Sequence, residues 1–94
     1  MRVVDFLTED KWTKGAFARD EEGRDAGSTS SCARKWCVSG AVNRCYSDDD
    51  ERRDVYIKIH DYLNRDGCTL GVFAWNDDVA TWPDVQKMLQ ELQV

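Results

Sequence analysis

The clearest pattern of apolar and polar residues lies between positions 47 and 67, where apolar side chains recur every three or four residues. This spacing places them on one face of a helix, and the stripe consists of Val55, Ile59, Tyr62 and Leu63. Ser47 is expected to begin the helix, because the acidic run 48–51 that follows suits the positive end of a helix dipole. Gly67 is expected to end it, since glycine readily adopts the left-handed conformation of a helix C-cap.

The same spacing predicts a final helix that Thr81 caps. Thr81 followed three residues later by Asp84 has the pattern of a capping box, and Pro83 is tolerated in a first helical turn. The core face of this helix is expected to consist of Val85, Met88, Leu89 and Leu92.

A helix is also predicted from Ser30 or Ser31, either of which is a suitable N-cap, to Cys45. Its buried face has the three-and-four spacing of Ala33, Trp36, Cys37, Gly40, Ala41 and Cys45. A glycine inside a helix costs about 1 kcal/mol relative to alanine. We therefore expect Gly40 to lie where another element or a ligand approaches closely.

The N-terminal third has weaker patterns. Apolar residues between Val3 and Trp12 predict a short first helix or turn, which Gly15 ends, and residues 16–18 are expected to be extended. The glycines and small polar residues of segment 20–30 are typical of a surface loop.

The apolar segment from Cys68 to Ala74 predicts a short buried strand. Trp75-Asn76-Asp77 follows it and is interpreted as a turn that joins the strand to the last helix, because Asn and Asp side chains bond their own backbone. The expected fold class is therefore mainly α: a compact bundle of three to four helices in a single domain, 1–94. The segments around Ala16 and Val72 can add a short strand or hairpin.

Composition and charge narrow the function classes. A hydrophobic content of 41% over 94 residues is typical of one folded domain. The formal net charge of −5 argues against binding to nucleic-acid phosphates, which favours a basic face. No apolar stretch approaches the roughly 18–20 residues that span a bilayer, and the N-terminus has no signal-peptide pattern. We therefore expect a soluble, cytoplasmic protein without a membrane partner.

The cysteines are expected to be free thiols, as in other proteins of a reducing cytosol. They are Cys32, Cys37, Cys45 and Cys68, and their spacing does not match the paired cysteines of a zinc site. No metal and no cofactor is expected.

Candidate chemistry centres on Cys37, because a cysteine nucleophile needs a base and His60 is the only histidine. With Asn76 or Asp77 as the orienting group, the residue types resemble those of a thiol-hydrolase triad. The alternative is that these side chains have structural roles in packing and in the turn. The tryptophans add a second kind of candidate, since an exposed indole can stack on a ligand or anchor a partner.

Three short motifs, taken together, resemble those of a known protein family. They are Trp12-Thr13-Lys14-Gly15-Ala16, Trp36-Cys37-Val38-Ser39-Gly40-Ala41 and Trp75-Asn76-Asp77. In this order and spacing the chain resembles an uncharacterised family of small bacterial and phage proteins over about residues 10–92. The resemblance implies a bacterial or phage origin, and no activity can be transferred from it.

The predicted function is that of a small, non-enzymatic accessory protein that binds a partner protein, such as an inhibitor of a host system. The alternative is a small-ligand-binding or cysteine-dependent hydrolytic site around Cys37, His60, Asn76 and Asp77. No residue is assigned a catalytic role. The predicted ligand- or partner-binding residues are Trp36, Cys37, His60, Trp75, Asn76, Asp77 and Trp82.

Overall fold

Five α-helices and a small antiparallel sheet make up the fold in a computed structural model, which describes residues 1–94. In chain order they are α1 Val3–Phe6, a turn of 3-10 helix Glu9–Lys11, β1 Ala18–Arg19, β2 Asp25–Ala26, β3 Lys35–Trp36, α2 Val38–Cys45, α3 Asp49–Arg65, α4 Val72–Asp78 and α5 Trp82–Leu92. The predicted helical bundle is therefore wrong, because the chain has a mixed α/β fold.

The sheet has the strand order β2-β1-β3, and both pairings are antiparallel. Ala18 of β1 lies opposite Ala26 on one side and Trp36 on the other. The extended backbone expected near residues 16–18 is thus present as β1, but its partners are not the segment around Val72. β2 lies inside the predicted loop 20–30. Strands of two residues are too short to leave an alternating pattern in the sequence.

The prediction that α2 begins at Ser30 or Ser31 is wrong, since the helix begins at Val38. Lys35 and Trp36 are extended instead, because they pair with β1. Cys37 is the N-cap, and its Sγ accepts a hydrogen bond from the Gly40 N–H at 3.2 Å. The apolar residues before position 38 are therefore buried by the packing of a strand and a loop. Their three-and-four spacing does not reflect a helix.

Gly40 lies at a close backbone contact, as predicted. A Cβ atom at this position would lie 1.8 Å from the carbonyl oxygen of Phe17, which is far inside van der Waals contact. The same carbonyl accepts a hydrogen bond from the Cys37 N–H at 3.2 Å. The absence of a side chain at Gly40 thus lets the first turn of α2 lie directly against the chain that enters β1.

The predictions for the two longest helices are confirmed. α3 begins one residue later than expected, because Asp48 is its N-cap and accepts from the Asp50 N–H at 3.1 Å. The predicted stripe is the buried face of α3, and Gly67 after it has a φ of +80°. In α5, Thr81 and Asp84 form the capping box, and Val85, Met88 and Leu89 are buried. Leu92, the fourth residue of the predicted core face, is only half-buried.

The predicted strand 68–74 and the predicted turn at Trp75-Asn76-Asp77 are both wrong. Val72–Asp78 is the helix α4, with Val72, Trp75 and Asn76 buried. Val72 and Trp75 are three residues apart and therefore share a helix face. Asn76 does not bond its own backbone, as a turn residue would, but reaches other segments of the chain. Tertiary contacts thus stabilise a helix that the local sequence does not predict.

The buried apolar residues form one continuous cluster to which all five helices contribute. The two chain ends meet in it, because the Val3 N–H donates to the Val94 carbonyl at 2.6 Å. The Tyr46 hydroxyl donates to the same carbonyl at 2.9 Å. None of the helices has the length and apolar character needed to cross a membrane.

Candidate functional site

Asn76 is completely buried and joins three separate segments of the chain. Its Oδ1 accepts from the Trp12 indole N–H at 2.7 Å and from the Val38 N–H at 3.0 Å. Its Nδ2 donates to the Thr13 carbonyl at 3.1 Å and to the Asp77 carboxylate at 3.1 Å. A primary amide offers two acceptor positions and two donors. All four are used within the protein, so this side chain has nothing left for a ligand.

Asp77 continues the same network. Its Oδ1 accepts from the Gly15 N–H at 2.9 Å as well as from Asn76. The Asn-Asp pair of α4 thus holds the segment 12–15 against the N-terminus of α2. We call this group the Asn76 centre; it consists of Trp12, Thr13, Gly15, Cys37, Val38, Asn76 and Asp77.

Cys37 is fully buried, and burial raises the pKa of its thiol. Its position at the N-cap of α2 favours the thiolate, and the Gly40 N–H lowers the pKa, but the desolvation is the larger effect. The nearby negative charge of Asp77 raises the pKa further. A nucleophilic cysteine needs the opposite shift, so the environment of Cys37 favours an inert, neutral thiol.

His60 lies on the exposed face of α3 and forms no hydrogen bond with Cys37. Its ring is instead next to that of Tyr56, with 6.4 Å between the ring centroids. The single proton of the Tyr56 hydroxyl is shared between the Ser39 carbonyl at 3.1 Å and Asn43 Oδ1 at 3.2 Å. The structure therefore brings Cys37, Asn76 and Asp77 together and leaves His60 outside the Asn76 centre.

The four tryptophans differ in whether the indole N–H donates a hydrogen bond within the protein. The Trp36 indole N–H donates to the Ser28 carbonyl at 2.8 Å, and its ring packs edge-on against Phe6 with centroids 4.8 Å apart. Trp12 donates to Asn76, as described above. Trp75 and Trp82 make no such bond, and each lines an opening in the surface beside α5.

Trp82 lies in a groove between α1 and α5 with a volume of about 230 Å³. Apolar side chains form its floor, and polar ones form its rim. The lining residues are Val4, Leu7, Thr8, Glu9, Trp82, Gln86, Leu89 and Gln90. The indole of Trp82 also contacts that of Trp12, with 6.0 Å between their centroids.

The groove residues other than Trp82 were missed by reasoning from the sequence. The spacing of Trp82, Gln86 and Leu89 along α5 could have indicated part of the groove, because these residues share one helix face. Their partners in segment 4–9, which comprises part of α1 and the residues after it, lie more than 70 positions away in the sequence. Only tertiary packing brings them together. No cluster of three or more His, Cys, Asp or Glu side chains has the arrangement of a metal site.

The comparisons with known proteins agree with the resemblance found in the three motifs. No curated protein and no solved structure matches this chain. One family model does match, and it covers residues 1–92, which include all three motifs. The chain therefore belongs to the family of unknown function DUF6197.

Proposed function

We propose that the protein is a small, non-enzymatic accessory protein of phage or bacterial origin that acts in the cytoplasm. In this proposal it binds an amphipathic helix of a partner protein in the α1–α5 groove. The observation that carries this proposal is the contrast between this groove and the Asn76 centre. In the Asn76 centre the amide of Asn76 is fully hydrogen-bonded and the thiol of Cys37 is buried, whereas the groove presents an indole without internal polar partners.

The groove has the composition of a protein-binding surface. Its centre is apolar and includes a tryptophan, the residue type most enriched among binding hot spots. The side-chain amides of Gln86 and Gln90 lie on the rim and form no hydrogen bonds within the protein. They are free to bond a partner, as rim residues of protein interfaces do.

Charge favours a partner helix with a basic side chain. Glu9 lines the groove and forms no ion pair, and the whole chain has a net charge of −5. An arginine or lysine opposite Glu9 would therefore meet an unpaired carboxylate. Electrostatic complementarity of this kind mainly raises the rate of association.

Helical peptides displayed as a randomised library test this occupant directly. Selection on the native protein is expected to enrich peptides with apolar residues three and four positions apart and with at least one basic residue. Trp82→Ala should weaken the binding of selected peptides at least tenfold, which is the size of a modest hot spot. Ile57→Ala is the matched control, because Ile57 is 50% exposed on α3 and does not line the groove.

Two outcomes would overturn the proposal. One is a selection that yields no helical binders. The other is a set of binders that lose no affinity with Trp82→Ala. If the peptides bind as expected, the natural partner can be sought with a photo-crosslinking amino acid placed at Gln86, or at Ile57 as the control, in a bacterial host. We expect a crosslinked protein only from position 86.

A further inference from the structure

A second opening, with a volume of about 200 Å³, lies on another side of α5. It is bounded by the C-terminal end of α3, the link that follows it, α4 and the first turns of α5. Tyr62, Leu63, Cys68 and Trp75 provide its apolar and aromatic wall. Because a water molecule takes about 30 Å³ in the liquid, the space is sufficient for about six or seven waters or for a small organic molecule.

Trp75 supplies an unused hydrogen-bond donor at this cavity. The residue is only 7% exposed, yet its indole N–H has no partner in the protein, unlike those of Trp12 and Trp36. No buried polar side-chain atom lacks a partner. The N–H of Trp75 is therefore accessible to solvent, and Trp75 lines this cavity.

Tyr62 provides a second polar group of the same kind. Its side chain is only 6% exposed and its hydroxyl forms no hydrogen bond within the chain. A buried Tyr or Trp usually finds a partner for its polar end. Since no fully buried polar side-chain atom lacks a partner, this hydroxyl also reaches solvent, and both polar groups are free to bond a ligand.

The charges at the rim indicate the chemistry of that ligand. Lys87 lines the cavity and forms no ion pair. The neighbouring Asp84 is already engaged, because it accepts from the Thr81 N–H at 2.9 Å and from the Thr81 hydroxyl at 3.0 Å. Asp84 keeps its negative charge, so Lys87 is the one positive group beside the carboxylates of Asp66 and Asp84. Its ammonium group and the indole N–H can bind the carboxylate of a ligand that also carries a positive charge.

We propose that this cavity binds a small organic carboxylate with an apolar body. The carboxylate accepts hydrogen bonds from the Trp75 indole and the Lys87 ammonium group, and the apolar body packs against Leu63 and Cys68. Asp66, which also lines the cavity and forms no ion pair, favours ligands that carry an amino group next to the carboxylate. The site is separate from the α1–α5 groove, so it does not depend on the proposed function.

The indole N–H resonances in a 15N-correlated NMR spectrum test this site. Trp75→Phe identifies the Trp75 signal by its loss. Titration with 4-methylpentanoate and with leucine, which share the apolar body and the carboxylate, is expected to shift that signal and leave the Trp36 signal unchanged. Isopentylamine and leucinamide, which lack the carboxylate, should not shift it. Tighter binding of leucine than of 4-methylpentanoate would assign the amino group to Asp66.

Lys87→Gln should weaken binding of the carboxylates at least about tenfold, since it removes a charge-assisted hydrogen bond. Lys58→Gln changes the net charge equally on α3, outside the cavity, and should leave binding unchanged. The proposal is overturned if no carboxylate shifts the Trp75 signal at millimolar concentration. It is also overturned if Lys87→Gln and Lys58→Gln bind the carboxylates equally well.

Discussion

The Asn76 centre and the two openings beside α5 contain similar residue types: tryptophan, acidic residues, and residues with an amide or ammonium group. They differ in whether the hydrogen-bonding groups of these side chains are bonded within the protein. In the Asn76 centre every hydrogen-bonding position of the amide is occupied by another part of the chain. Beside α5, two indole N–H groups, two glutamine amides and a lysine have no internal partner. Residue types alone thus do not mark a binding site. Unused hydrogen-bonding capacity at an accessible surface is the more informative feature.

The three motifs on which the resemblance was based lie mainly in the closed region. Trp12, Gly15, Cys37, Gly40 and Asn76 are all explained by contacts that hold α2, α4 and the segment before β1 together. The motif residues therefore have a structural role that accounts for their spacing without a ligand. Trp75 is the exception, because it also faces a cavity.

Gly40→Ala is expected to have the largest effect on the closed region. The added Cβ would lie 1.8 Å from a backbone carbonyl oxygen, which cannot rotate away as a side chain can. Overpacking typically costs 1–3 kcal/mol, and backbone displacement places this variant at about 3 kcal/mol or more. Urea unfolding followed by circular dichroism measures the loss.

Gly71→Ala is the matched control for that substitution. No heavy atom lies within 4 Å of the position where its Cβ would be, so the free energy of unfolding should change by less than about 1 kcal/mol. Equal losses in the two variants would show that the contact between Gly40 and Phe17 does not hold α2 in place.

Asn76→Ala should have the next largest effect. It leaves the buried Val38 N–H and the half-buried Trp12 indole N–H without an acceptor, and a buried donor without a partner costs about 1–3 kcal/mol. We expect a total loss of about 2–3 kcal/mol in the free energy of unfolding, measured by urea titration.

Asn64→Ala serves as its control, since Asn64 is exposed on α3. This change should be neutral or stabilise the protein by about 0.5 kcal/mol through helix propensity. If Asn76→Ala were as well tolerated as Asn64→Ala, the Asn76 centre would not be a structural unit, and its residues would again be candidates for a binding site.

The cysteines provide the subtlest comparison, because Cys37 belongs to the closed region and Cys68 lines the open cavity. Iodoacetamide at neutral pH should modify the exposed Cys32 first and the half-buried Cys68 next. Cys37 should react only as fast as the protein opens, since its thiol is buried and its pKa is raised. Peptide mapping of the modified protein measures the three rates. Modification of Cys37 as rapid as that of Cys32 would favour the hydrolytic alternative instead.

The pH dependence of stability has a defined sign for Cys37. The ordinary pKa of the thiol is 9.0, and burial raises it in the folded state. Well below pH 9 the Cys37 thiol is neutral in both the folded and the unfolded chain, so its ionisation does not reduce the free energy of unfolding. As the pH rises towards the folded-state pKa, the unfolded chain ionises first and the free energy of unfolding falls. Cys37→Ala should reduce this alkaline loss and leave the acidic limb unchanged.

The sequence by itself determined α3 and α5. Their boundaries follow from local chemistry: the apolar spacing of Val55, Ile59 and Leu63, the glycine at 67 and the capping box between Thr81 and Asp84. The resemblance to an uncharacterised family is also confirmed, because the matching model describes a family of unknown function. The boundaries and buried faces of α3 and α5 depend on residues within one or two helical turns of each other, so local sequence patterns are sufficient to predict them.

Only the tertiary structure decided the rest. α4 forms because Val72 and Trp75 pack into the core and Asn76 bonds segments that are 38 and more positions away in the sequence. α2 begins late because Lys35 and Trp36 pair with β1. The groove and the cavity likewise join α5 to segments distant in the chain. Such contacts override local propensity, because the free energy of burial and of satisfying buried polar groups exceeds the small differences between local conformations.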